Sequence, residues 1–267
     1  KNGLKVVLSG DGADELFGGY NRHYLIPKIH KIFKDFPYSV RSLISSLLIN
    51  LPNNNVGLSQ QKMQKLSKSI LHADNLESIY NSLTCESSDK PYLLKEEFLN
   101  LSQKKKEKLP SATSIAERIM LADVQNYLHS DILVKTDRAS MATSLEVRAP
   151  FLDHRVAELA WKLPLSMKIR NRKTKWILKK ILSNYLPNSL INNDKKGFAI
   201  PINNWLRGPL KDWACDLLSE STIKRQGYLN SEIVSNHLKS HFSYKKDNSS
   251  RIWTLLMWQS WLADMGL

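Results

Sequence analysis

The chain has 267 residues, with 39 Lys and Arg against 25 Asp and Glu and a formal net charge of +14. Its hydrophobic share of 42% and charged share of 24% are ordinary for a globular protein and argue against disorder. No run of about 18 uncharged apolar residues occurs, and two cysteines are too few for a disulfide framework. We therefore predict a cytoplasmic protein of one or two domains, whose excess positive charge suits a nucleic acid, a membrane surface or a polyphosphate ligand.

The first predicted elements are a strand, a tight turn and a helix. Residues 5–8 form a short apolar run that predicts a buried strand. A Ser-Gly-Asp-Gly turn follows, and residues 13–19 can form a helix. We identify no partner strand downstream, and the chain does not begin with Met. We therefore expect it to open inside a longer protein.

The remainder of the chain is predicted to be helical. Apolar side chains recur with helical spacing over residues 40–48 and again from residue 111 onwards. Asp153 is expected to cap a helix that runs to Trp161, because its carboxylate can accept hydrogen bonds from the first amides. Further helices are predicted over residues 58–70, 75–83, 137–144, 173–186, 209–218, 231–242 and 251–263, with a loop over 193–201.

Three carboxylates follow the predicted strand within five residues, in the segment SGDGADELFGGY. They belong to Asp11, Asp14 and Glu15. The glycines between them allow a tight turn and a close approach of the backbone to a ligand. Carboxylates in this place suit Mg²⁺ held together with phosphates, or a base that faces a reacting amine. The alternative is that Asp11 and Asp14 only cap the helix and that Glu15 lies on the surface.

A second segment, residues 137–154, alternates charged side chains with small and apolar ones. This pattern is unusual for a solvated helix face and indicates partly buried, paired charges around a site. The alternative is a structural network of ion pairs. Its members would be Asp137, Arg138, Glu146 and Arg148.

A third segment, DKKGFAIP, places Lys195 and Lys196 on a predicted loop that contains glycine. A lysine ammonium on such a loop can reach a phosphate and neutralise the charge that develops on a leaving group. The alternative is an ordinary basic turn.

Three segments, in their order along the chain, resemble the synthetase domain of glutamine-hydrolysing asparagine synthetases. They are SGDGADELFGGY, DILVKTDRASMATSLEVRAPFLDHR and KKGFAIPINNWLRGPL. The closing WTLLMWQSWL is similar to the last helix of that family. The resemblance covers almost the whole chain and is weakest over residues 37–109. It implies a mainly α chain. This chain would be the helical C-terminal portion of an α/β adenine-nucleotide-hydrolase-like, or pyrophosphatase-loop, synthetase domain, with one strand-turn-helix unit at its N-terminus.

The resemblance also implies how the chain is divided. Residues 1–27 would form the strand-turn-helix unit of the nucleotide fold, 28–110 a helical segment and 111–267 a helical C-terminal segment. The chain has neither the N-terminal cysteine of the family's glutaminase domain nor its SGGxDS pyrophosphate loop. Both are therefore expected to lie outside this chain, which alone is expected to be inactive.

The activity implied by the resemblance is the ATP-dependent amidation of aspartate. MgATP adenylates the aspartate side chain, and ammonia released from glutamine by a separate domain displaces AMP to give asparagine and pyrophosphate. The implied cofactors are ATP and Mg²⁺. The implied partners are aspartate, ammonia and ATP, with no nucleic acid and no membrane, and the oligomeric state stays open.

Individual roles are carried over by motif position. Ser9 and Gly10 match positions whose backbone touches the adenosine of ATP or AMP. Asp14 matches a Mg²⁺ ligand, and Asp11 matches an acidic position, Glu in some members, that helps to deprotonate the incoming ammonia. Lys195 matches the loop lysine that stabilises departing pyrophosphate, with Lys196 as its neighbouring candidate.

Other interpretations remain. A β-lactam synthetase, a lasso-peptide cyclase or another amidotransferase would act on a different carboxylate, although Asp11 favours ammonia chemistry because β-lactam-forming relatives often carry Tyr there. A basic helical nucleic-acid-binding protein would show steeply salt-dependent affinity. The sequence contains no helix-turn-helix, RNA-recognition or zinc-finger signature for it. A third alternative is a non-catalytic remnant that only binds a partner.

Overall fold

The computed structural model describes residues 3–50, 60–84, 94–99, 108–191 and 200–266. These residues are mainly helical, as predicted, with a small parallel sheet. The chain divides into two compact units. The first unit comprises Lys1–Leu83 and Lys108–Asp194, and the second comprises Thr84–Glu107 and Lys195–Leu267. The predicted division at residues 27 and 110 stays a prediction.

The elements of the first half of the chain are β1 (Val6–Leu8), α1 (Ala13–Leu16), α2 (Arg22–Phe33), α3 (Tyr38–Asn50), α4 (Gln60–Leu71), α5 (Leu76–Thr84), α6 (Glu96–Leu99) and α7 (Ile115–Ala122). A π-helical segment (Asp123–Ile132), α8 (Leu133–Met141), β2 (Glu146–Arg148), a 3₁₀ turn (Pro150–Leu152), α9 (His154–Lys162), α10 (Leu165–Lys168), α11 (Trp176–Leu182) and α12 (Asn188–Ile191) follow. The chain then forms α13 (Ile202–Arg207), α14 (Lys211–Leu217), α15 (Glu220–Gln226), α16 (Ser231–Phe242) and α17 (Ser249–Asp264).

The sheet corrects two predictions about the first strand. β1 pairs in parallel with β2, and Val7 lies opposite Val147. A partner strand therefore does lie downstream. The strand is also not buried, because Val6 and Leu8 are 40% and 73% exposed. The pattern of residues did not predict β2, because β2 has only one apolar residue between two charged ones. Parallel partners are also separated by a long crossover, so β2 lies far from β1 in the chain.

The central helix of the first unit also differs from its prediction. α7, the π-helical segment and α8 follow one another without a break from Ile115 to Met141. Ser114 caps the start, where its hydroxyl accepts a hydrogen bond from the Glu117 amide. The helix predicted over residues 137–144 is therefore the end of this longer one. It stops before Ser144, whose φ of 55° is left-handed.

Capping residues mark several helix starts. The Asp153 carboxylate accepts from the Arg155 amide at 2.9 Å, which confirms the predicted cap of α9. Asn230 caps α16, whose bounds agree with the prediction. α11 instead begins three residues later than predicted, because Lys175 is left-handed with a φ of 50°. A lysine in that conformation leaves no sequence signal, since glycine and asparagine normally occupy it.

Each unit contains apolar clusters of its own. In the first unit, a large cluster joins α2, α4, α5 and α7, and a smaller one holds Leu16 and Phe17 of the opening turn against Ala160 of α9. In the second unit, one cluster takes side chains from α13 to α17. The smaller cluster of the first unit matters for function because it fixes the turn that follows β1.

Candidate active site

An open cleft of about 570 Å³ lies where β1 and β2 end in the first unit. The first and second sequence motifs meet there. The motif residues around it are Ser9, Asp11, Asp137, Arg148, Pro150 and Asp153. The carboxyl ends of parallel strands are where α/β folds place their ligands, so this is the candidate active site.

Ser9 and Asp11 form one side of the cleft. The Ser9 amide donates to the Arg148 carbonyl at 2.8 Å and continues the strand pairing. The Ser9 hydroxyl donates to the Asp11 carboxylate at 2.9 Å. Asp11 is therefore held beside the strand end by its own turn, and its partly exposed carboxylate remains accessible from the cleft.

The two glycines of this turn serve different purposes. Gly12 has a φ of 87°, and a side chain there would overlap Leu152 of the 3₁₀ turn. It therefore permits the close packing of α1 against one wall of the cleft. Gly10 is exposed, and a side chain there would meet nothing within 4 Å. Its backbone is open to the approach of a ligand.

Asp14 follows Asp11 by three residues and lies in α1, and it is not among the residues that line the cleft. Its carboxylate is 24% exposed and forms an ion pair with the Lys175 ammonium at 2.9 Å. Lys175 was not among the predicted site residues, and it lies 161 positions from Asp14 in the chain. Lys175 has a left-handed backbone at the start of α11.

Glu15 is not a surface residue, since it is only 1% exposed. Its carboxylate accepts a hydrogen bond from the Tyr20 hydroxyl at 2.6 Å. Burial raises the pKa of Glu15, and the bond from Tyr20 acts in the opposite direction. The three carboxylates of the first motif thus lie in three environments: open to the cleft, ion-paired, and buried.

The charges of the second motif are not buried, which corrects the prediction of partly buried pairs. Arg148 donates to Glu146 at 2.7 Å, but both side chains are more than half exposed. Arg155 holds the pKa of Asp153 below its usual range through hydrogen bonds at the rim of the cleft.

Some predictions find no test in the described residues. Lys195 and Lys196 lie outside them, as does most of the predicted loop. Where the structure is described, no three His, Cys, Asp or Glu side chains come together as a metal cage. No helix in those ranges has both the length and the apolar character needed to cross a membrane.

Comparison with protein families decides the family of the chain. The family model described as asparagine synthase matches residues 1–263. The chain belongs to the asparagine synthase family. This membership confirms the resemblance that the three motifs indicated, and it extends across the segment between residues 37 and 109 where that resemblance was weakest.

Curated proteins align with different shares of the chain. Asparagine synthetase [glutamine-hydrolyzing] 1 of Bacillus subtilis is 34% identical over 98% of this chain and 40% of its own length. Asparagine synthetase [glutamine-hydrolyzing] 3 of the same organism is 29% identical over 74% of this chain. An amidase of Gibberella zeae is 27% identical over 40% of this chain. The chain thus spans about two fifths of the length of the first of these relatives. No solved structure gave a significant match.

Proposed function

We propose that this chain carries part of the synthetase site of an enzyme that converts aspartate to asparagine with ATP, in a domain of the pyrophosphatase-loop type. The observation that carries the proposal is the cleft at the carboxyl ends of β1 and β2, where two family motifs face each other. Membership of the asparagine synthase family supports the choice of substrate class.

The proposed reaction has two steps. A side-chain oxygen of aspartate bonds to the α-phosphorus of ATP, and the bond to pyrophosphate breaks. The nitrogen of ammonia then bonds to the acyl carbon, AMP leaves with the oxygen, and one proton passes to a base. Both steps build negative charge on phosphate oxygens, which a basic site stabilises.

Ser9 and Gly10 are proposed to meet the adenosine of the nucleotide through their backbone. Gly10 is exposed and has free space at its α-carbon, so a ligand can approach its peptide group closely. Ser9 is anchored to β2 through its amide, which fixes the position of this contact relative to the cleft wall.

Asp14 is proposed to hold Mg²⁺ together with the phosphates, and Lys175 to face the same charge. Mg²⁺ is usually bound by one or two carboxylates plus phosphate oxygens, so the partly exposed Asp14 carboxylate suits this ion. When bound, the ion neutralises phosphate charge. The Lys175 ammonium, 2.9 Å from Asp14, is placed to hold a phosphate oxygen at the same point.

Asp11 is proposed to take the proton from the attacking ammonia. Its carboxylate lines the cleft and accepts from Ser9 through one oxygen, Oδ2. Lys195 is proposed, from its motif position, to stabilise departing pyrophosphate. This division of roles assigns adenylation to Asp14, Lys175 and Lys195, and amide formation to Asp11.

The test is made on the full gene product. We expect the wild type to catalyse aspartate-dependent exchange between ATP and pyrophosphate and to form asparagine. Asp11→Asn should retain the exchange and lose about 100-fold or more in asparagine formation, because only the second step needs a base. Asp131→Asn, an exposed carboxylate on the same unit, is the control and should behave as wild type.

Two results would overturn this proposal. A wild-type protein without aspartate-dependent exchange would exclude the adenylation step, and exchange supported by a different carboxylate would identify the alternative substrate. Equal loss of exchange and of amide formation in Asp11→Asn would remove its role as the base.

A further inference from the structure

A buried carboxylate that the proposed chemistry does not use lies close to the first motif. Asp123, at the start of the π-helical segment, is fully buried. Its Oδ2 accepts from Arg22 at 2.7 Å and faces the His23 ring nitrogen at 2.6 Å, and its Oδ1 accepts from the Tyr80 hydroxyl at 2.8 Å. A carboxylate buried to this depth is retained only with such partners, so the three contacts hold α2, α5 and the central helix at one point.

One of these contacts leads back to the motif. The Arg22 guanidinium, held by Asp123, lies 4.0 Å from the centre of the Tyr20 ring and 5.0 Å from that of Tyr127. Tyr20 is thereby clamped between two elements. Its hydroxyl reaches across the turn to Glu15, the neighbour of Asp14. The contact through Tyr80 leads instead into the apolar cluster of the first unit, away from the turn.

The shape of the turn decides where the Asp14 carboxylate lies. The Gly19 amide donates to the Asp14 carbonyl at 2.7 Å. Gly19 also lies so close to the Asp14 side chain that a β-carbon would overlap its carboxylate. A shift of Tyr20, the next residue, would therefore move Gly19 against Asp14.

We propose that Arg22, fixed by Asp123, is a positioning residue for Asp14 that acts through Tyr20 and Gly19. Arg22 is not among the residues that line the cleft. It keeps the turn closed, so that the Asp14 carboxylate meets phosphate-bound Mg²⁺ without rearrangement. This inference rests on the proposed function, since Asp14 is the proposed Mg²⁺ ligand.

The test compares, in the full gene product, two variants that each alter one contact of the Asp123 carboxylate. Arg22→Lys keeps the charge but loses the planar group that stacks on Tyr20, whereas Tyr80→Phe removes a hydrogen bond to Asp123 outside the path to the turn. We expect Arg22→Lys to raise the Mg²⁺ half-saturation of the exchange reaction by about 10- to 100-fold, as losses around a metal ligand do. The Michaelis constant for aspartate should change little. Tyr80→Phe should leave both values unchanged.

Hydrogen exchange of the peptide covering residues 13–20 supplies a readout that needs no turnover. Arg22→Lys should accelerate exchange there about tenfold or more, and Tyr80→Phe should not. If Arg22→Lys fails to fold, Arg22→Gln takes its place, because it also removes the guanidinium over the Tyr20 ring but can still donate a hydrogen bond to Asp123, and it should give the same two changes.

The inference would be overturned if these variants changed neither the Mg²⁺ half-saturation nor the hydrogen exchange of residues 13–20. Equal effects of Tyr80→Phe would do so as well, since they would assign Asp123 to the general stability of the unit. A wild-type protein without Mg²⁺-dependent activity would instead reject the proposed function, and the exchange of residues 13–20 would still decide whether Arg22 holds the turn.

Discussion

The two units differ in what they bury. The described interior of the first unit contains Glu15, His23, Asp123 and Lys168, each 1% exposed or less. In the second unit, the buried polar side chains among the described residues are His241, Asn248, Ser249 and Gln259, and of these only His241 is titratable. Burying an ionisable group costs free energy unless its partners are in place. The core of the first unit therefore depends on partners for buried charged groups, whereas the described core of the second unit buries apolar side chains and mainly uncharged polar ones.

The largest expected effect is on the buried polar interior. Asp123→Ala leaves Arg22 and His23 without their acceptor and should destabilise the protein by about 3–5 kcal/mol. Urea unfolding followed by circular dichroism measures it. Asp131→Ala, which removes an exposed carboxylate of the same π-helical segment, is the control. A loss for Asp123→Ala no larger than that of the control would contradict the distinction between the units.

A deletion in the apolar core tests the second unit. Leu256 is fully buried, and Leu256→Ala should cost about 2–5 kcal/mol through lost burial and the cavity left behind. Five of the seven tryptophans lie in this unit, so their fluorescence reports its unfolding. The loss should be the same at pH 6 and pH 8, because no charge is involved. A strong dependence on pH would show that polar groups support this core too.

Lys168 is a buried charged side chain of the first unit whose removal should increase stability rather than reduce it. It is fully buried with its ammonium 4.8 Å from the centre of the Trp161 ring, and it finds no hydrogen-bond acceptor among the described residues. Burial lowers its pKa, with the Glu117 charge acting in the other direction. Lys168→Met keeps the length of the side chain and should stabilise the protein by about 1–2 kcal/mol at pH 7.

The sign of the pH dependence checks the cause of this gain. A lysine whose pKa falls on folding binds fewer protons in the folded state, so wild-type stability rises as the pH approaches the unfolded value of about 10.4. The advantage of Lys168→Met should therefore shrink between pH 7 and pH 10. A constant advantage would assign it to packing against Trp161 instead.

Buried histidines give the smallest expected effect and are common to both units. Burial lowers the pKa of His23 in the first unit and of His241 in the second. Each then takes up a proton more readily when unfolded, so stability should fall as the pH drops below about 6.5, by at most about 1.4 kcal/mol per pH unit for each group. His241→Asn can keep an acceptor for the backbone amide of Asn248 and should reduce this loss of stability at low pH. Unfolding followed by tryptophan fluorescence at several pH values measures the change.

Local and short-range features were predictable from the sequence alone. The mainly helical character, the cap at Asp153 and the bounds of α16 follow from periodicity and from a side chain that hydrogen-bonds within a few residues. The turn after β1 and the family itself follow from long motifs of glycine and carboxylate. Each of these signals lies within one continuous stretch of chain.

The tertiary structure alone decided which distant residues meet. β2 carries no strand pattern, Lys175 reaches Asp14 from an unusual backbone conformation, and Asp123 joins Arg22 across about a hundred positions. These contacts depend on long-range pairing and on charges buried by neighbouring elements, which leave no periodic trace in the sequence. The sequence therefore determined which side chains carry the chemistry, and the fold determined which of them are held, exposed or paired, because burial and electrostatic environment arise only when separate segments pack together.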